Sequence, residues 1–270
     1  MSNEGKTVEK LATPNTRNTI AKQLRELGLK KGDSIIVHSS LSSLGWVSGG
    51  AVAVIQGLMD VISEEGTIVM PTHSGDLSDP SLWEAPPVPK EWWQTIRDTM
   101  PPFDPVITPT RGMGKIVEVF RTYPAVTRSN HPQVSFAAWG KNAERWMKEH
   151  SLNNGLGVGS PLQHLYDNHA LVLLLGVGFD NNTSFHLAEY LLPEPIMETT
   201  YAPVMINGER SWHSMEDVVH YEDWFEELGS DFEKSYTVQR GSIGAAEARL
   251  FSVKEAVDYA TEWLSEKKDQ

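Results

Sequence analysis

The stretch Leu171–Tyr190 constrains the fold more than any other part of this sequence. It begins with a continuous apolar run, Leu-Val-Leu-Leu-Leu, which is followed by glycines and is too short to cross a membrane. Such a run is typical of a strand that is buried on both faces of a parallel sheet. Strands and helices alternate along the rest of the chain, so the sequence predicts an α/β fold with a mixed, largely parallel central sheet flanked by helices.

Turn and helix-capping residues follow this predicted strand, from Asp180 to Thr183. A short helix beginning near Thr183 would place His186, Glu189 and Tyr190 on one face, because residues three and four apart are neighbours on a helix. Ligands of open α/β sheets bind in the crevice outside the carboxyl ends of the strands. His186 is therefore a candidate general base for chemistry near neutral pH. The alternative is a histidine that only caps the helix or packs against the loop.

An earlier stretch has the features of a phosphate-binding loop. The predicted strand Ser34–His38 leads into a loop of small hydroxyl residues and glycines, Ser39–Gly50, and then into a predicted helix over Ala51–Ile62. Backbone N–H groups at such a helix N-terminus can bind phosphate. The loop lacks the patterns of a Walker A motif and of a dinucleotide fingerprint, and an ordinary turn would have the same composition.

Two further segments depart from the alternating pattern. Residues 74–109 hold eight of the sixteen prolines together with Trp83, Trp92 and Trp93, which is typical of a lid or pocket loop, although the tryptophans could equally anchor the loop. Near the C-terminal end, Asn207-Gly208 lies between two predicted strands, and this pair favours a type I′ turn. We therefore expect an antiparallel hairpin added to one domain that spans residues 1–270.

Composition narrows the classes of function. The chain has 36 acidic and 23 basic residues and a formal net charge of −13, which disfavours nucleic acid and anionic membranes and favours a cationic small molecule. An ordinary acidic surface would give the same number. The absence of cysteine excludes disulfides, thiolate metal sites and a cysteinyl acyl intermediate. With no apolar signal region and no membrane span in the sequence, we expect a cytoplasmic protein.

Nine histidines raise the alternative of a metal-dependent hydrolase, but His-Glu-x-x-His is absent and no histidine pair has helical ligand spacing. We therefore expect no metal. A serine hydrolase is disfavoured because the sequence has no Gly-x-Ser-x-Gly elbow.

Seven short stretches carry a resemblance to a known family. They are Val37–Leu41, Gly49–Ala51, Gly66–Thr72, Arg128–Pro132, Gly159–Leu162, Leu174–Gly178 and Thr183–Glu189. In this order, and over nearly the whole chain, they resemble the aminoglycoside 3-N-acetyltransferases, also called antibiotic N-acetyltransferases. One stretch alone would be weak, but seven in order are specific.

The resemblance implies transfer of an acetyl group from acetyl-CoA to an amine, most typically the 3-amino group of a 2-deoxystreptamine aminoglycoside. It implies His186 as the general base with Asp180 and Glu189 as acidic companions. The residues expected to hold CoA are His38, Ser39, Ser40, Leu41, Ser42, Val47, Gly49, Gly50, Thr72, Arg128 and Ser129. Those expected at the cationic acceptor are Glu222, Asp223 and Trp83.

The sequence leaves alternatives for the acceptor, for the oxyanion donors and for the oligomeric state. The acceptor could be a non-antibiotic amine, or the chain could be a non-catalytic CoA-binding protein on the same scaffold. The donors that stabilise the oxyanion are expected among the N–H groups of Ser39–Leu41 or at the Thr72 hydroxyl. A homodimer also stays open, because the exposed faces cannot be identified from sequence.

Overall fold

The computed structural model describes Val8 and residues 13–268. Its strands are β1 (Ser34–Ser39), β2 (Thr67–Pro71), β3 (Thr127–Arg128), β4 (Phe136–Gly140), β5 (Leu171–Leu175), β6 (Met197–Ile206), β7 (Glu209–Val218), β8 (Gln239–Ile243) and β9 (Ala246–Ser252). The α-helices after residue 13 are α1 (Arg17–Leu27), α2 (Gly50–Ile62), α3 (Trp93–Thr99), α4 (Gly114–Phe120), α5 (Ala143–Lys148), α6 (Pro161–Asp167), α7 (His186–Tyr190), α8 (Phe225–Ser235) and α9 (Val253–Lys268). Short 3₁₀ turns lie at Pro80–Leu82, Lys90–Trp92, Phe179–Asn181, Thr183–Phe185 and Glu222–Trp224.

Seven strands form one mixed sheet in the order β3-β4-β2-β1-β5-β9-β8. The central strands β2, β1 and β5 are parallel, whereas the strands on either side pair antiparallel. The mixed α/β sheet is confirmed, and its parallel part is the three central strands. Because these strands are parallel, their carboxyl ends lie at one edge of the sheet, where His38 of β1 is aligned with Leu174 of β5.

Helices cover both faces of this sheet, which explains the apolar runs of the central strands. Successive residues of β1 point to opposite faces, so Ile35 belongs to the core under α1, α2 and α4, and Ile36 to the core under α5 to α9. All five residues of β2 are buried, as expected for a strand covered on both faces.

The predicted hairpin is present as a separate two-stranded sheet, in which β6 pairs with β7. Asn207 has φ 54° and Gly208 has φ 84°, so both turn residues have the positive φ that a type I′ turn requires. The pairing of the hairpin extends to Met197 and Val218. Glu216 and Asp217 therefore lie in β7, and α8 begins only at Phe225.

The proline-rich segment 74–109 contains two 3₁₀ turns and the helix α3. Arg97 of α3 binds Asp79 at 2.7 Å, and the indole Nε1 of Trp83 donates to Ser78 Oγ at 3.0 Å. These contacts fit the interpretation that Trp83 anchors the loop. The interpretation of the segment as a lid stays a prediction. No helix among the described residues is long and apolar enough to cross a membrane.

Candidate active site

A cavity of about 890 Å³ opens at the edge where β1, β2 and β5 end. It is lined by the end of β1 with the loop that follows, the end of β2, the start of α4 with the residues before it, the segment from the end of β5 to His186, and Phe225 of α8. The lining residues are Val37, His38, Ser39, Ser40, Leu41, Ser42, Gly45, Trp46, Val47, Gly50, Pro71, His73, Gly112, Met113, Gly114, Lys115, Val117, Val177, Asp180, Asn181, Thr183, His186 and Phe225.

The first turn of α7 brings His186 and Glu189 into direct contact. His186 Nδ1 lies 2.9 Å from Glu189 Oε2, and because a carboxylate only accepts, the imidazole donates from Nδ1. The other carboxylate oxygen of Glu189 accepts the backbone N–H of Tyr221 at 2.6 Å. The side chain of Glu189 is 1% exposed and that of His186 14%. The neutral imidazole is therefore held with its Nε2 lone pair free, which is the geometry of a general base.

Burial and charge act on His186 in opposite directions. Burial favours the neutral imidazole, but the charge of Glu189 and its hydrogen bond favour the imidazolium, and Glu222 and Asp217 add to that attraction. The balance raises the pKa of His186 above its ordinary value. The side chain can thus accept a proton and hold it, as proton abstraction from an amine requires.

His220 is a member of the site that the motif analysis does not find. Its ring centroid lies 4.4 Å from that of His186, and its Nε2 lies 3.4 Å from the hydroxyl of Tyr190. The Tyr190 hydroxyl donates to Asp217, a contact that closes the site from the hairpin side. Burial and the neighbouring His186 lower the pKa of His220. Asp217 near the end of β7 and His220 two residues beyond that strand form no motif in the sequence, and only the fold shows that they reach Tyr190 of α7.

Two further histidines line the cavity on the same face of the sheet. His38 is the penultimate residue of β1 and His73 follows β2, and the Nε2 atom of each is buried without a hydrogen-bond partner among the described residues. Burial, together with the nearby His186, lowers the pKa of His38 to about 3 and lowers that of His73 well below its ordinary value. Both imidazoles are therefore neutral at physiological pH.

The start of α2 and the start of α4 also line the cavity, and they have features of a nucleotide-binding site. Gly49, with φ 86°, precedes α2 and makes no side-chain cap. The Gly50 N–H donates to Val47 O at 3.0 Å, so the N–H groups that follow it in the first turn are the ones that could bind an anion. A Cβ at Gly50 would meet nothing within 4 Å, which leaves the backbone open on this side. Lys115 at the start of α4 adds a positive charge to the lining. These residues fit the pyrophosphate and pantetheine parts of CoA.

Three residues expected at the cofactor instead bind other parts of the protein. Arg128 is 8% exposed, and its guanidinium donates to Thr72 Oγ1 at 3.1 Å, to Thr72 O at 2.7 Å and to Thr108 O at 2.5 Å. The Ser129 hydroxyl accepts the N–H of Phe136 at 2.9 Å. Arg128, Ser129 and Thr72 are not among the residues that line the cavity. Arg128 thus links the ends of β2 and β3 to the 74–109 loop, a role that its position beside other basic residues in the sequence did not reveal. The expectation that these three residues hold CoA stays a prediction.

The acidic residue predicted beside His186 and the residues predicted at the acceptor lie in different places in the structure. Asp180 lines the cavity, but within residues 13–268 its carboxylate makes no hydrogen bond to His186, so Glu189 is the carboxylate that orients the His186 ring. Glu222 is exposed and close enough to His186 to favour its charged form. Asp223 is exposed on the same 3₁₀ turn, whereas Trp83 lines a different cavity of about 500 Å³.

The structure also brings together three possible metal ligands, which helical spacing in the sequence does not predict. His186, His220 and Glu222 each present one nitrogen or oxygen atom, and these three atoms lie within 4.8 Å of one another. Such a set could in principle accept a divalent ion. The expectation that the chain needs no metal therefore stays a prediction, and chelation tests it.

Comparison with known proteins places this site in a family. The family described as aminoglycoside 3-N-acetyltransferase matches residues 36–265. The chain belongs to this family. It is thus an acyltransferase of the aminoglycoside 3-N-acetyltransferase type, with acetyl-CoA as the acyl donor.

Three similar proteins illustrate the match. The SPbeta prophage-derived aminoglycoside N(3′)-acetyltransferase-like protein YokD of Bacillus subtilis is 52% identical over 260 residues, 96% of each chain. Its crystal structure superposes with a TM-score of 0.97, covering 98% of this chain and 99% of that one. Aminoglycoside N(3)-acetyltransferase VII of Streptomyces paromomycinus is 32% identical, covering 94% of this chain and 93% of that one. The structure of AAC-IIIb with CoASH superposes with a TM-score of 0.84 at 30% identity, covering 94% of this chain and 98% of that one.

Proposed function

We propose that this chain acetylates an amino group of a cationic small molecule, and that its substrates include the 3-amino group of 2-deoxystreptamine aminoglycosides. The observation that carries this proposal is a single cavity with a free helix N-terminus at one end and the His186–Glu189 pair at the other. A long donor such as acetyl-CoA can lie along that cavity and present its thioester to the base. The cytoplasm is the proposed location, because acetyl-CoA is available there.

His186 has the central role in the proposed reaction. An amine must be neutral to attack, and His186 Nε2 accepts a proton from the amine nitrogen as that nitrogen forms its bond to the thioester carbon. The carbonyl electrons move to oxygen, the C–S bond then breaks, and His186 returns the proton to the departing sulfur. Glu189 keeps the ring in the required tautomer and stabilises the imidazolium between these two steps.

The negative charge near His186 supports a cationic acceptor. Asp180 lines the cavity, and the exposed carboxylates of Glu222 and Asp223 lie on the 3₁₀ turn that precedes α8. Together with the net charge of −13, these groups would attract a polycationic amine and disfavour an anionic one. Glu222 and Asp223 are therefore proposed as contacts to the acceptor rather than to acetyl-CoA.

The direct test is CoA release from acetyl-CoA with a panel of 2-deoxystreptamine aminoglycosides and of other polyamines, comparing the wild type with His186→Ala. We expect turnover in the wild type and a loss of about 10²–10⁴-fold in the variant, because general base catalysis contributes about that much. His164→Ala is a matched control, since His164 lies on α6 outside the cavity.

Each remaining outcome has a definite meaning. Turnover only with amines other than aminoglycosides would retain the acetyl transfer and replace the acceptor. Binding of acetyl-CoA without turnover with any amine would contradict catalysis and favour a sensor. Equal turnover in the wild type and in His186→Ala would reject His186 as the base.

A further inference from the structure

The acetyl carbonyl needs a hydrogen-bond donor, and two of the donors expected from the sequence are already engaged. The Ser40 N–H donates to Leu175 O at 3.0 Å. The Thr72 hydroxyl lies 3.0 Å from Ser135 Oγ and accepts from Arg128 Nε at 3.1 Å. Thr72 is also absent from the lining of the cavity. The backbone N–H groups of Ser39 and Leu41 remain as expected donors, and a buried side chain that lines the cavity is a further candidate.

His38 supplies an unused polar atom at the right place. Its Nε2 is buried without a hydrogen-bond partner among the described residues, although the side chain lines the cavity. A buried polar atom without a partner costs free energy, and a native structure keeps such an atom for a reason. The thioester of a bound substrate would provide the missing partner.

The sheet places His38 next to the base. His38 lies near the carboxyl end of β1, which is the direct neighbour of β5, and β5 leads into the segment that carries His186. His73 also has an unpartnered Nε2, but it follows β2, which lies on the far side of β1. Neighbouring strands are about 4.8 Å apart, so His73 is about one strand further from β5 than His38.

We propose that His38 donates a hydrogen bond from Nε2 to the thioester carbonyl oxygen and holds the oxyanion that forms as the amine attacks. This inference rests on the proposed acetyl transfer and assigns to His38 a role distinct from that of His186. His186 handles the proton of the amine, whereas His38 neither gains nor loses a proton and acts only as a donor.

The burial of His38 suits this role. A neutral imidazole carries one N–H, and its tautomer can place that hydrogen on Nε2. Burial and the nearby His186 keep the ring neutral, with a pKa of about 3. A neutral donor does not compete with the amine for a proton, and in a site that excludes water its dipole acts strongly on developing charge.

The first experiment measures polarisation of the carbonyl without any acceptor. Isotope-edited infrared spectra of acetyl-CoA with a ¹³C carbonyl, bound to the full chain, should show the carbonyl band at lower wavenumber than in solution. We expect the shift to persist in His164→Leu, to disappear in His38→Leu, and to return in part in His38→Gln, whose amide NH₂ can donate from a position near that of Nε2.

The second experiment is kinetic. Removal of one oxyanion donor lowers kcat about 10²–10³-fold, so His38→Leu should lose that much with little change in the KM for acetyl-CoA. His38→Gln should recover part of the loss, and the pH at which the acidic limb of the rate profile falls should stay the same in both variants. His73→Leu should lose less than His38→Leu.

Several results would overturn the assignment. A wild-type complex with an unshifted carbonyl band rejects a donor at His38 whatever the variants do, so the test does not depend on the folding of His38→Leu. A loss in His73→Leu that equals or exceeds the loss in His38→Leu assigns the donor to His73. Failure of acetyl-CoA to bind rejects both the acetyl transfer and this inference, whereas binding and turnover with no effect of His38 reject this inference alone.

Discussion

The buried histidines of this chain fall into two groups that differ in their charged neighbours. The first group, His186 and His220, lies beside the buried carboxylate of Glu189. The histidine row, His38, His73, His131 and His150, lies along the same side of the sheet, with His131 and His150 at a ring separation of 4.7 Å. Within the described residues, no carboxylate forms an ion pair with any member of the row.

The comparison indicates how a carboxylate changes the pKa of a buried histidine. Burial, with a smaller effect of His150, lowers the pKa of His131 to about 3, and burial lowers that of His150 to about 4; a neutral ring with so low a pKa holds a proton poorly. His186 is also largely buried, yet Glu189, with Glu222 and Asp217, more than offsets burial and raises its pKa. One buried carboxylate, three residues further along α7, separates the proposed base from His131 and His150.

The largest expected effect comes from removing that carboxylate charge. Glu189→Gln keeps the shape of the side chain but offers His186 Nδ1 an amide, which can donate to the ring and favour the wrong tautomer. For the corresponding change in a Ser-His-Asp triad, kcat falls by about 10⁴-fold, and we expect a loss of up to that size. Single-turnover acetyl transfer measures it. A loss under tenfold would mean that Glu189 does not orient the base.

The reverse experiment adds a carboxylate to the histidine row. Ser129 Oγ lies 2.9 Å from His150 Nδ1, so Ser129→Asp would place a negative charge against that ring. We expect the pKa of His150 to rise from about 4 by roughly 1–3 units, as opposite charges at this distance usually produce. Histidine NMR titration follows the change, and Ser129→Asn is the uncharged control. An unchanged pKa would show that charge is not what distinguishes the two groups.

A smaller effect is expected on stability at mildly acidic pH. His131 and His150 have folded-state pKa values of about 3 and about 4, below the value of about 6.5 in the unfolded chain. The unfolded state therefore binds more protons below pH 6.5, and the free energy of unfolding falls as the pH falls. Between pH 7 and pH 5 we expect a loss of about 1–2 kcal/mol for each of these residues.

Urea unfolding at the two pH values measures this loss. His150→Gln is the matched variant, because it removes one titrating ring from the row, and its free energy of unfolding should depend less on pH than that of the wild type. Equal pH dependence in the two proteins would mean that His150 is not held neutral by the fold.

The smallest expected effect is that of chelation. His186, His220 and Glu222 present atoms within 4.8 Å of one another, but the proposed reaction needs the lone pair of His186 for a proton. We therefore expect EDTA, followed by removal of the chelator, to leave turnover unchanged. A loss of turnover that zinc restores would favour metal-dependent chemistry instead.

Local patterns in the sequence predict a large part of this fold. The apolar runs of β1, β2 and β5 predict the parallel centre of the sheet, and Asn207-Gly208 predicts the type I′ hairpin turn. The spacing of His186 and Glu189 also predicts their contact, because residues three apart are neighbours on a helix. These features depend on residues that are close in the chain.

Features that depend on strand order were not predictable in the same way. His38 and His73 are 35 positions apart in the sequence, and they line one cavity with His186 only because β1 lies between β2 and β5. Arg128 was expected at the cofactor, but its partners come from loops distant in sequence, so its charge alone did not reveal a structural role. The contact of His220 with the site likewise depends on where the hairpin ends.

The most direct test of the account is the pH dependence of kcat/KM for acetyl transfer in the wild type and in Glu189→Gln. Because only neutral His186 accepts a proton, the acidic limb of the wild-type profile should fall at a pH above the ordinary value of about 6.5 for histidine. In Glu189→Gln, burial is opposed only by the weaker attraction of Glu222 and Asp217, so the pKa of His186 should fall and the limb should move to lower pH. An acidic limb at the same pH in both proteins would contradict the claim that the His186–Glu189 pair is the base.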